Sequence, residues 1–294
     1  MQQLVDVLGG TFHMGSDTAY PEEAPRHERG VNKFQIGFAP VTNFEFGRFV
    51  VATGYKSTAE KKLEEEVARG LTEELRAPGS VVFTPPPHGV DVVEGAWWSF
   101  VRGACWYAPL GPNSSIIEKP DHPVVHVSLL DAMAYCEWAG VRLPTEAEWE
   151  FAARSGIDSD GEYSWGSELS PAGQMMANHW RGEFPSRPDA ENLAGTSVVG
   201  TFPPNELGLV DMIGNVWEWT STEFIEGHVH HSCCGNNSAT EDPFNQGGRL
   251  MVLKGGSFLC ATNYCSRYRP AARIPQPSYF SASHIGFRVA ATIG

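Results

Sequence analysis

The stretch Arg142–Arg154 reads R-L-P-T-E-A-E-W-E-F-A-A-R, and Gly208–Thr220 reads G-L-V-D-M-I-G-N-V-W-E-W-T. In the first stretch, Thr145 and Glu148 have the spacing of a capping box, which predicts that a helix begins here. In the second, Gly and Asn interrupt short apolar runs, a pattern typical of turns between short strands. Together they predict a fold of short elements joined by many loops.

The rest of the chain repeats this alternation. Thr42 or Asn43 is expected to cap a short helix, and Ser128 opens another through a second capping box. The segments 251–259 and 286–291 contain short apolar runs between turn residues and predict strands. Separate helices and strands of this kind indicate the α+β class.

One region reads differently from its surroundings. Residues Ala59 to Leu75 combine Glu, Lys and Arg with spaced Leu and Val, which predicts an exposed amphipathic helix, and Pro- and Gly-rich sequence then runs to about Gly89. We expect an insertion at about 61–100 that lies over the core of a single domain spanning 1–294.

The charge balance restricts the partners. The 294 residues include 21 Lys and Arg against 35 Asp and Glu, a net charge of −14, so binding to nucleic acid or to an anionic membrane surface is not expected. No apolar run reaches the roughly 18 residues that span a bilayer, and Met1–Gly10 lacks the pattern of a signal peptide. We expect a cytoplasmic protein with a peptide or small-molecule partner.

The sequence has no C-x-x-C pair of the kind found in structural zinc sites, and a reducing compartment does not favour a disulfide framework. The cysteines are therefore candidates for reactive, metal-binding or merely buried thiols. Cys260 and Cys265 follow a predicted strand that ends at Leu259, on a polar turn where two thiolates can face each other. Two soft sulfur ligands suit Cu(I), whereas structural zinc needs four ligands. The spacing alone leaves two other interpretations open, a pair of buried small side chains or a disulfide.

Several motifs occur in one order along the chain. They are G-G-T-F-H-M-G, P-V-T-N-F-E-F, D-H-P-V-V-H-V-S, R-L-P-T-E-A-E-W-E-F-A-A-R, G-L-V-D-M-I-G-N-V-W-E-W-T, K-G-G-S-F-L-C-A-T-N-Y-C-S-R-Y-R and G-F-R-V-A-A. In this order they resemble the formylglycine-generating enzyme, or sulfatase-modifying factor, family. The resemblance implies one loop-rich domain with little regular secondary structure, a variant of the C-type-lectin-like fold. Non-oxidising relatives share the central motifs, which therefore support the fold alone.

The resemblance also implies an activity. In this family the cysteine pair holds copper, the thiol of a substrate joins as a third ligand, and oxygen is reduced while the substrate cysteine becomes an aldehyde. Cys260 and Cys265 match the copper ligands. Ser257, Trp217 and Tyr264 match positions that line the pocket. The implied partners are O2 and a cysteine-containing peptide, protein or small thiol.

Two calcium sites are implied by the same resemblance. The loop D-x-x-G-N-x-W-E offers the carboxylates and carbonyl oxygens that Ca²⁺ prefers. The first site takes Asp211 and Glu218 through side chains and Gly214 and Val216 through carbonyl oxygens. The second site takes side chains of Asn178 and Glu191 and carbonyls of His179 and Leu193, with Glu191 where the family has Asp.

The chain departs from the family pattern beside the cysteine pair. Ala261 replaces a histidine, Tyr279 and Phe280 fall in a segment that is usually acidic and polar, and His284 replaces an asparagine. These residues and Arg273 are candidate substrate contacts. Three interpretations stay open: an oxidase for C-x-P-x-R peptides, an oxidase of the same type for another thiol, and a non-catalytic peptide-binding relative.

Other groups of polar residues could have either a functional or a purely structural role. Arg269, Arg273 and Arg288 could anchor a peptide or form salt bridges with the excess acids. A Cys–His hydrolase built on Cys260 has no supporting motif. A polar loop contains a further group of possible metal ligands. The group is either a metal site or part of a flexible surface segment, and its members are His228, His230, His231, Cys233 and Cys234.

Overall fold

A computed structural model describes residues 3–64, 70–87, 89, 93–158, 161–189, 195–228 and 249–293. The α-helices are α1 (Asn43–Thr53), α2 (Glu73–Arg76), α3 (Leu129–Ala139) and α4 (Glu146–Ala153). The strands are β1 (Leu4–Val7), β2 (Gly10–Met14), β3 (His27–Val31), β4 (Phe34–Gly37), β5 (Gly79–Phe83), β6 (Trp98–Arg102), β7 (Gly182–Glu183), β8 (Arg187–Pro188), β9 (Trp217–Glu223), β10 (Leu250–Lys254), β11 (Arg273–Pro277), β12 (Ile285–Phe287) and β13 (Ala290–Thr292). Loops join these short elements, as the α+β prediction expects.

Three helices begin where the sequence predicts. Thr42, Ser128 and Thr145 each accept a hydrogen bond from the backbone three residues on, and each box is closed by the acidic side chain at that position. Such caps satisfy the free backbone donors of the first turn, which fixes the helix start locally. The two predicted capping boxes, at Ser128 and Thr145, and the predicted cap at Thr42 are therefore confirmed.

Two sheets organise the molecule. The larger has the order β11-β10-β9-β12, with β12 parallel to β9 and the other pairs antiparallel. A second sheet has the order β1-β4-β13, so the first and last strands flank β4. The predicted strands at 251–259 and 286–291 are shorter than expected, because β10 ends at Lys254 and the second segment divides into β12 and β13.

The main hydrophobic core lies between helices α1 and α3 and the larger sheet. Phe46 of α1 packs against Tyr135 of α3 and Phe287 of β12, with ring centroids 6.1 and 6.4 Å away. Trp219 of β9 is fully buried in the same cluster, and its indole N–H donates to the Val127 carbonyl at 3.0 Å. This core holds β9, whose first residue reaches the cleft described below.

The predicted amphipathic helix from Ala59 to Leu75 is wrong for the residues described. A 3-10 turn at Thr58–Glu60 ends at Lys61, and the next helix is the single turn Glu73–Arg76. The turn ends because Lys61 is extended, and Gly70 adopts φ 89, which does not continue a right-handed helix. The spacing of Leu and Val was therefore misleading.

The β5–β6 hairpin follows this region and docks on the core. Val81 donates to the Ser281 carbonyl at 3.4 Å and accepts from Ser283 N–H at 2.9 Å. Trp98, the first residue of β6, and the preceding Trp97 line a cleft together with residues from the C-terminal part of the chain. Every helix among the described residues is too short or too polar to cross a bilayer.

Candidate functional site

The two cysteines lie on a turn that follows β10. Gly255 and Gly256 adopt φ 95 and 75, which reverses the chain directly after Lys254. A Cβ at Gly256 would lie 2.7 Å from the Arg267 carbonyl oxygen, so only glycine allows this close approach. The turn therefore packs against the residues that follow Cys265.

Cys260 and Cys265 face each other, as predicted from their spacing. Their sulfur atoms are 3.4 Å apart and both thiols are free. The Cys265 N–H donates to the Ala261 carbonyl at 2.9 Å, which closes one turn of backbone between the two cysteines. Burial raises the pKa of Cys260, whereas the hydrogen bond from Cys260 and the Arg267 guanidinium lower the pKa of Cys265. The pair thus favours one thiol and one thiolate.

A cleft of about 470 Å³ opens onto this pair. Three of the predicted pocket residues, Ser257, Trp217 and Tyr264, line it. So do two of the predicted substrate contacts, Phe280 and His284. The structure brings these predicted residues together with both cysteines in one cavity.

Aromatic rings form one wall of the cleft. Phe184 stacks on Tyr264 with centroids 4.6 Å apart and planes 10° from parallel. Trp97 meets both rings edge-on, at 5.2 and 5.4 Å. This wall combines the 93–102 region, the 184 loop and the cysteine turn, and sequence patterns gave no sign that Trp97 and Phe184 belong to the site.

His284 closes another side of the cleft. Its ring packs on Trp98 at 4.7 Å, and its buried Nδ1 has no hydrogen-bond partner among the described residues. Burial, together with the smaller effect of His126, lowers the pKa of His284 to about 3. The imidazole is therefore neutral and presents an uncharged polar atom beside an aromatic face.

Three predicted substrate contacts lie elsewhere. Ala261 is fully buried beside Trp180, and Tyr279 lines a neighbouring pocket, not the cleft. The prediction for Arg273 is wrong: its Nε donates to Glu146 at 2.7 Å, and its guanidinium also contacts backbone carbonyls. Pairing with an acid distant in sequence buries it away from the cleft.

Arg269 and Arg288 also form the salt bridges that were the alternative to peptide binding. Arg269 makes a forked pair with Glu23, at 2.9 and 2.6 Å. Arg288 donates to Glu218 through Nε and Nη2, at 2.6 and 2.8 Å. Both guanidinium groups are therefore structural.

The first predicted calcium site fits in part. Glu218 does not fit, because its Oε2 also accepts from the Trp149 indole at 2.6 Å and a guanidinium already neutralises its carboxylate. Asp211 fits better. It lies in a loop with left-handed Asp211, Gly214 and Asn215, and burial raises its pKa to about 6 although nearby Arg288 acts in the opposite direction.

The second predicted calcium site is only partly described. The Asn178 amide nitrogen lies 2.9 Å from the Gly195 carbonyl and 3.3 Å from the Ser197 hydroxyl. The His179 ring pairs with the Trp180 carbonyl at 3.1 Å. Glu191 and Leu193 lie outside the described residues.

The histidine and cysteine cluster is likewise incomplete. Of its members only His228 is described, and its ring lies 4.8 Å from the His27 ring, tilted by 43°. His230, His231, Cys233 and Cys234 lie outside the described residues. Within the described ranges, no group of three or more His, Cys, Asp or Glu side chains could hold a metal.

The donor set of the cysteine pair fits Cu(I). Two soft sulfurs at 3.4 Å, one of them fully buried, provide the low coordination number that Cu(I) accepts. Zinc fits less well, because tetrahedral zinc needs further ligands that the described residues do not supply here. The open side of the pair faces the cleft, where a third sulfur could approach.

Comparison with known proteins gives matches over almost the whole chain. A family model described as the sulfatase-modifying factor enzyme 1-like domain matches residues 1–293. A formylglycine-generating enzyme from Mycobacterium tuberculosis is 48% identical over 99% of this chain and 98% of its own length. A Bos taurus protein named inactive C-alpha-formylglycine-generating enzyme 2 is 36% identical over 99% of this chain and 86% of its own.

A solved structure supports the fold independently. PvdO from Pseudomonas aeruginosa superposes with a TM-score of 0.61 at 23% identity, over 99% of this chain and 94% of PvdO. At that identity the likeness concerns the fold alone. The family match and the curated relatives carry the assignment: this chain belongs to the formylglycine-generating enzyme, or sulfatase-modifying factor, family.

Proposed function

We propose that this protein oxidises a peptidyl cysteine to Cα-formylglycine with O2, using Cu(I) held by Cys260 and Cys265. The observation that carries the proposal is the pair of free thiols, 3.4 Å apart, at the base of a cleft large enough for a peptide side chain. Relatives named formylglycine-generating enzyme support the reaction.

The reaction balances with an external thiol as reductant. A cysteine side chain, one O2 and two reducing equivalents give an aldehyde, hydrogen sulfide and water. The C–S bond and one Cβ–H bond break, and a C=O bond forms. Copper, when bound, supplies the one-electron chemistry that lets O2 react with a closed-shell thiolate.

The residues of the cleft position the substrate and exclude water. The Phe184, Tyr264 and Trp97 wall offers apolar area beside the cysteine turn, which lowers the local dielectric around a bound thiolate. The Ser257 hydroxyl and the Trp217 indole line the same cavity, where they can orient the reacting groups. Neutral His284 offers Nδ1 to a peptide backbone group.

The test is peptide oxidation by the copper-loaded protein under O2, followed by mass spectrometry. We expect a C-T-P-S-R peptide to show the mass change of CH2–SH becoming CHO, with kcat/KM of about 10⁴ M⁻¹s⁻¹ or more. Cys260→Ser and Cys265→Ser should lose the activity. Cys136→Ser, at a buried cysteine on α3, is the matched control and should retain it.

A copper oxidase for a different thiol is the second candidate. It is favoured by the aromatic and proline-containing cleft lining, which suits an apolar or proline-rich flank. Peptides with such flanks, compared with C-T-P-S-R at equal concentration, decide between the substrates. Copper binding without turnover of any of them would leave the non-catalytic interpretation and refute both oxidase proposals.

Calcium is a further proposal, for Asp211 with the carbonyl oxygens of Gly214 and Val216. The left-handed turn and the buried carboxylate support it, and Glu218 is left out because Arg288 already pairs with it. The ion would have a structural role.

A further inference from the structure

The turn after Cys265 places a guanidinium beside the cysteine pair. The Arg267 Nη1 lies 3.8 Å from the Cys265 sulfur, with geometry that lets it donate. Among the described residues that line the cleft, Arg267 is the only one with a permanent charge. A single cationic side chain thus lies beside the cysteine pair, where a substrate thiolate would also bind.

Residues near the N-terminus hold this guanidinium in place. The Glu22 carboxylate accepts from Nη2 at 2.6 Å and from Nε at 3.1 Å. The Tyr20 ring lies 3.7 Å from the guanidinium carbon, and its hydroxyl accepts from the Ser266 N–H at 3.2 Å. Glu22 therefore holds Arg267 through Nε and Nη2, which leaves Nη1 to contact the sulfur.

We propose that Arg267 is a positioning residue that stabilises the anionic thiolate pair and so strengthens Cu(I) binding, and that Glu22 weakens its effect. This inference rests on the proposed function. Two thiolates carry two negative charges, of which one Cu(I) compensates one, and a substrate thiolate adds another. A guanidinium in contact with one sulfur, in a partly buried site, offsets part of that excess.

A purely structural role for Arg267 predicts a different pattern. If Arg267 only ties the N-terminal segment to the turn, then removing either Arg267 or Glu22 should weaken the site alike. If its charge matters, the two changes act in opposite directions. Glu22→Gln keeps an acceptor for the guanidinium but removes the competing negative charge.

The experiment is a competition titration of Cu(I) between the protein and a chromophoric chelator. We expect Arg267→Gln to lower Cu(I) affinity about 10-fold, or about 1.4 kcal/mol. Arg267→Lys should restore most of it because the charge remains. Glu22→Gln should raise the affinity severalfold. Thermal unfolding of the copper-free variants checks that each one folds.

The matched control is Arg142→Gln, which breaks a forked pair with Glu148 at 2.7 Å that has no sulfur beside it. It should leave Cu(I) affinity unchanged. Equal affinity in the parent and Arg267→Gln, or an equal fall in Arg267→Gln and Glu22→Gln, overturns the inference and leaves the proposed copper site intact. Undiminished Cu(I) binding by Cys260→Ser overturns the copper site itself, and this inference with it.

Discussion

A buried histidine next to the site makes stability depend on pH. His126 is fully buried with φ 60, and its Nδ1 pairs with the Ser80 hydroxyl at 2.8 Å. Burial lowers the pKa of His126 to about 4 from the ordinary 6.5, while the Pro109 backbone raises it slightly and His284 is the nearby titratable group. The folded protein therefore keeps this imidazole neutral.

The sign of the effect follows from linkage. In the unfolded chain His126 takes up a proton as pH falls through about 6.5. In the folded chain it takes up that proton only at about pH 4. The stability contributed by neutral His126 is thus present above pH 6.5 and is lost as pH falls toward 4. At about 1.4 kcal/mol per pH unit, the loss amounts to about 3 kcal/mol.

His126→Asn should reduce this loss, because asparagine tolerates the left-handed backbone and does not titrate. Urea unfolding at pH values from 7 to 4 measures it. His13→Asn, at a half-exposed histidine, is the control and should follow the parent. Parallel pH profiles for the parent and His126→Asn would contradict the prediction.

Some site residues could be placed from the sequence alone, and others could not. Cys260 and Cys265 could be paired from their spacing because a short turn fixes their separation locally. Arg273 could not be placed, since its partner Glu146 lies on α4 and only the folded chain brings them together. The sequence did not indicate Arg267 for a related reason: Glu22, which positions its guanidinium beside Cys265, is far away in sequence.

Among the elements, the loop before β9 carries the proposed calcium ion. It turns through left-handed Asp211 and Asn215, with the Asp211 carboxylate accepting from the Gly200 N–H at 2.7 Å. A tightly bound ion stabilises the native state, by about 2.7 kcal/mol at one hundred times its dissociation constant.

Chelation should therefore lower the unfolding temperature of the parent but not of Asp211→Asn. Differential scanning fluorimetry with added Ca²⁺ or chelator measures the shift. Asp158→Asn removes an exposed carboxylate outside the loop and should keep the full shift. Identical unfolding temperatures for the parent with ion and with chelator would refute the calcium proposal.

Element prediction succeeded where local signals decide and failed where they do not. Capping boxes are contained within four residues, so α1, α3 and α4 were predictable. Ser57 and Glu60 also form a capping box at the start of this region, but only a 3-10 turn that ends at Lys61 follows it, so a cap fixes where a helix starts and not how long it is. The Leu residues of 59–75 line a pocket beside β5 without forming a long helix. The parallel pairing of β12 with β9 depends on contacts far apart in sequence.

At the scale of the whole molecule, buried ion pairs connect segments that are distant in sequence. Arg288 donates to Glu218 of β9, to the Gly37 carbonyl of β4 at 3.1 Å and to the Val210 carbonyl at 3.1 Å. Lys254 is fully buried and pairs with Glu150 of α4 at 2.9 Å. These charges act as fixed links between the sheets and helices.

Breaking one such link should be costly. Arg288→Met leaves the Glu218 carboxylate buried and unpaired, which should lower the free energy of unfolding by about 3–5 kcal/mol. Lys62→Met, in an exposed pair with Glu73, should cost far less, because solvent screens that pair. Urea unfolding measures both, and similar small losses would show that the buried link contributes little.

The sheet that joins β1, β4 and β13 has a consequence for the order of folding. Ala290 pairs with Ile36, so residues from opposite ends of the described chain share one ladder. During synthesis β1 and β4 emerge early, but one edge of β4 has no partner until β13 has been made. Pairing across such a separation closes a very long loop, which slows folding. Nascent chains that lack β13 should therefore expose that edge of β4, where a chaperone or a second nascent chain could pair with it.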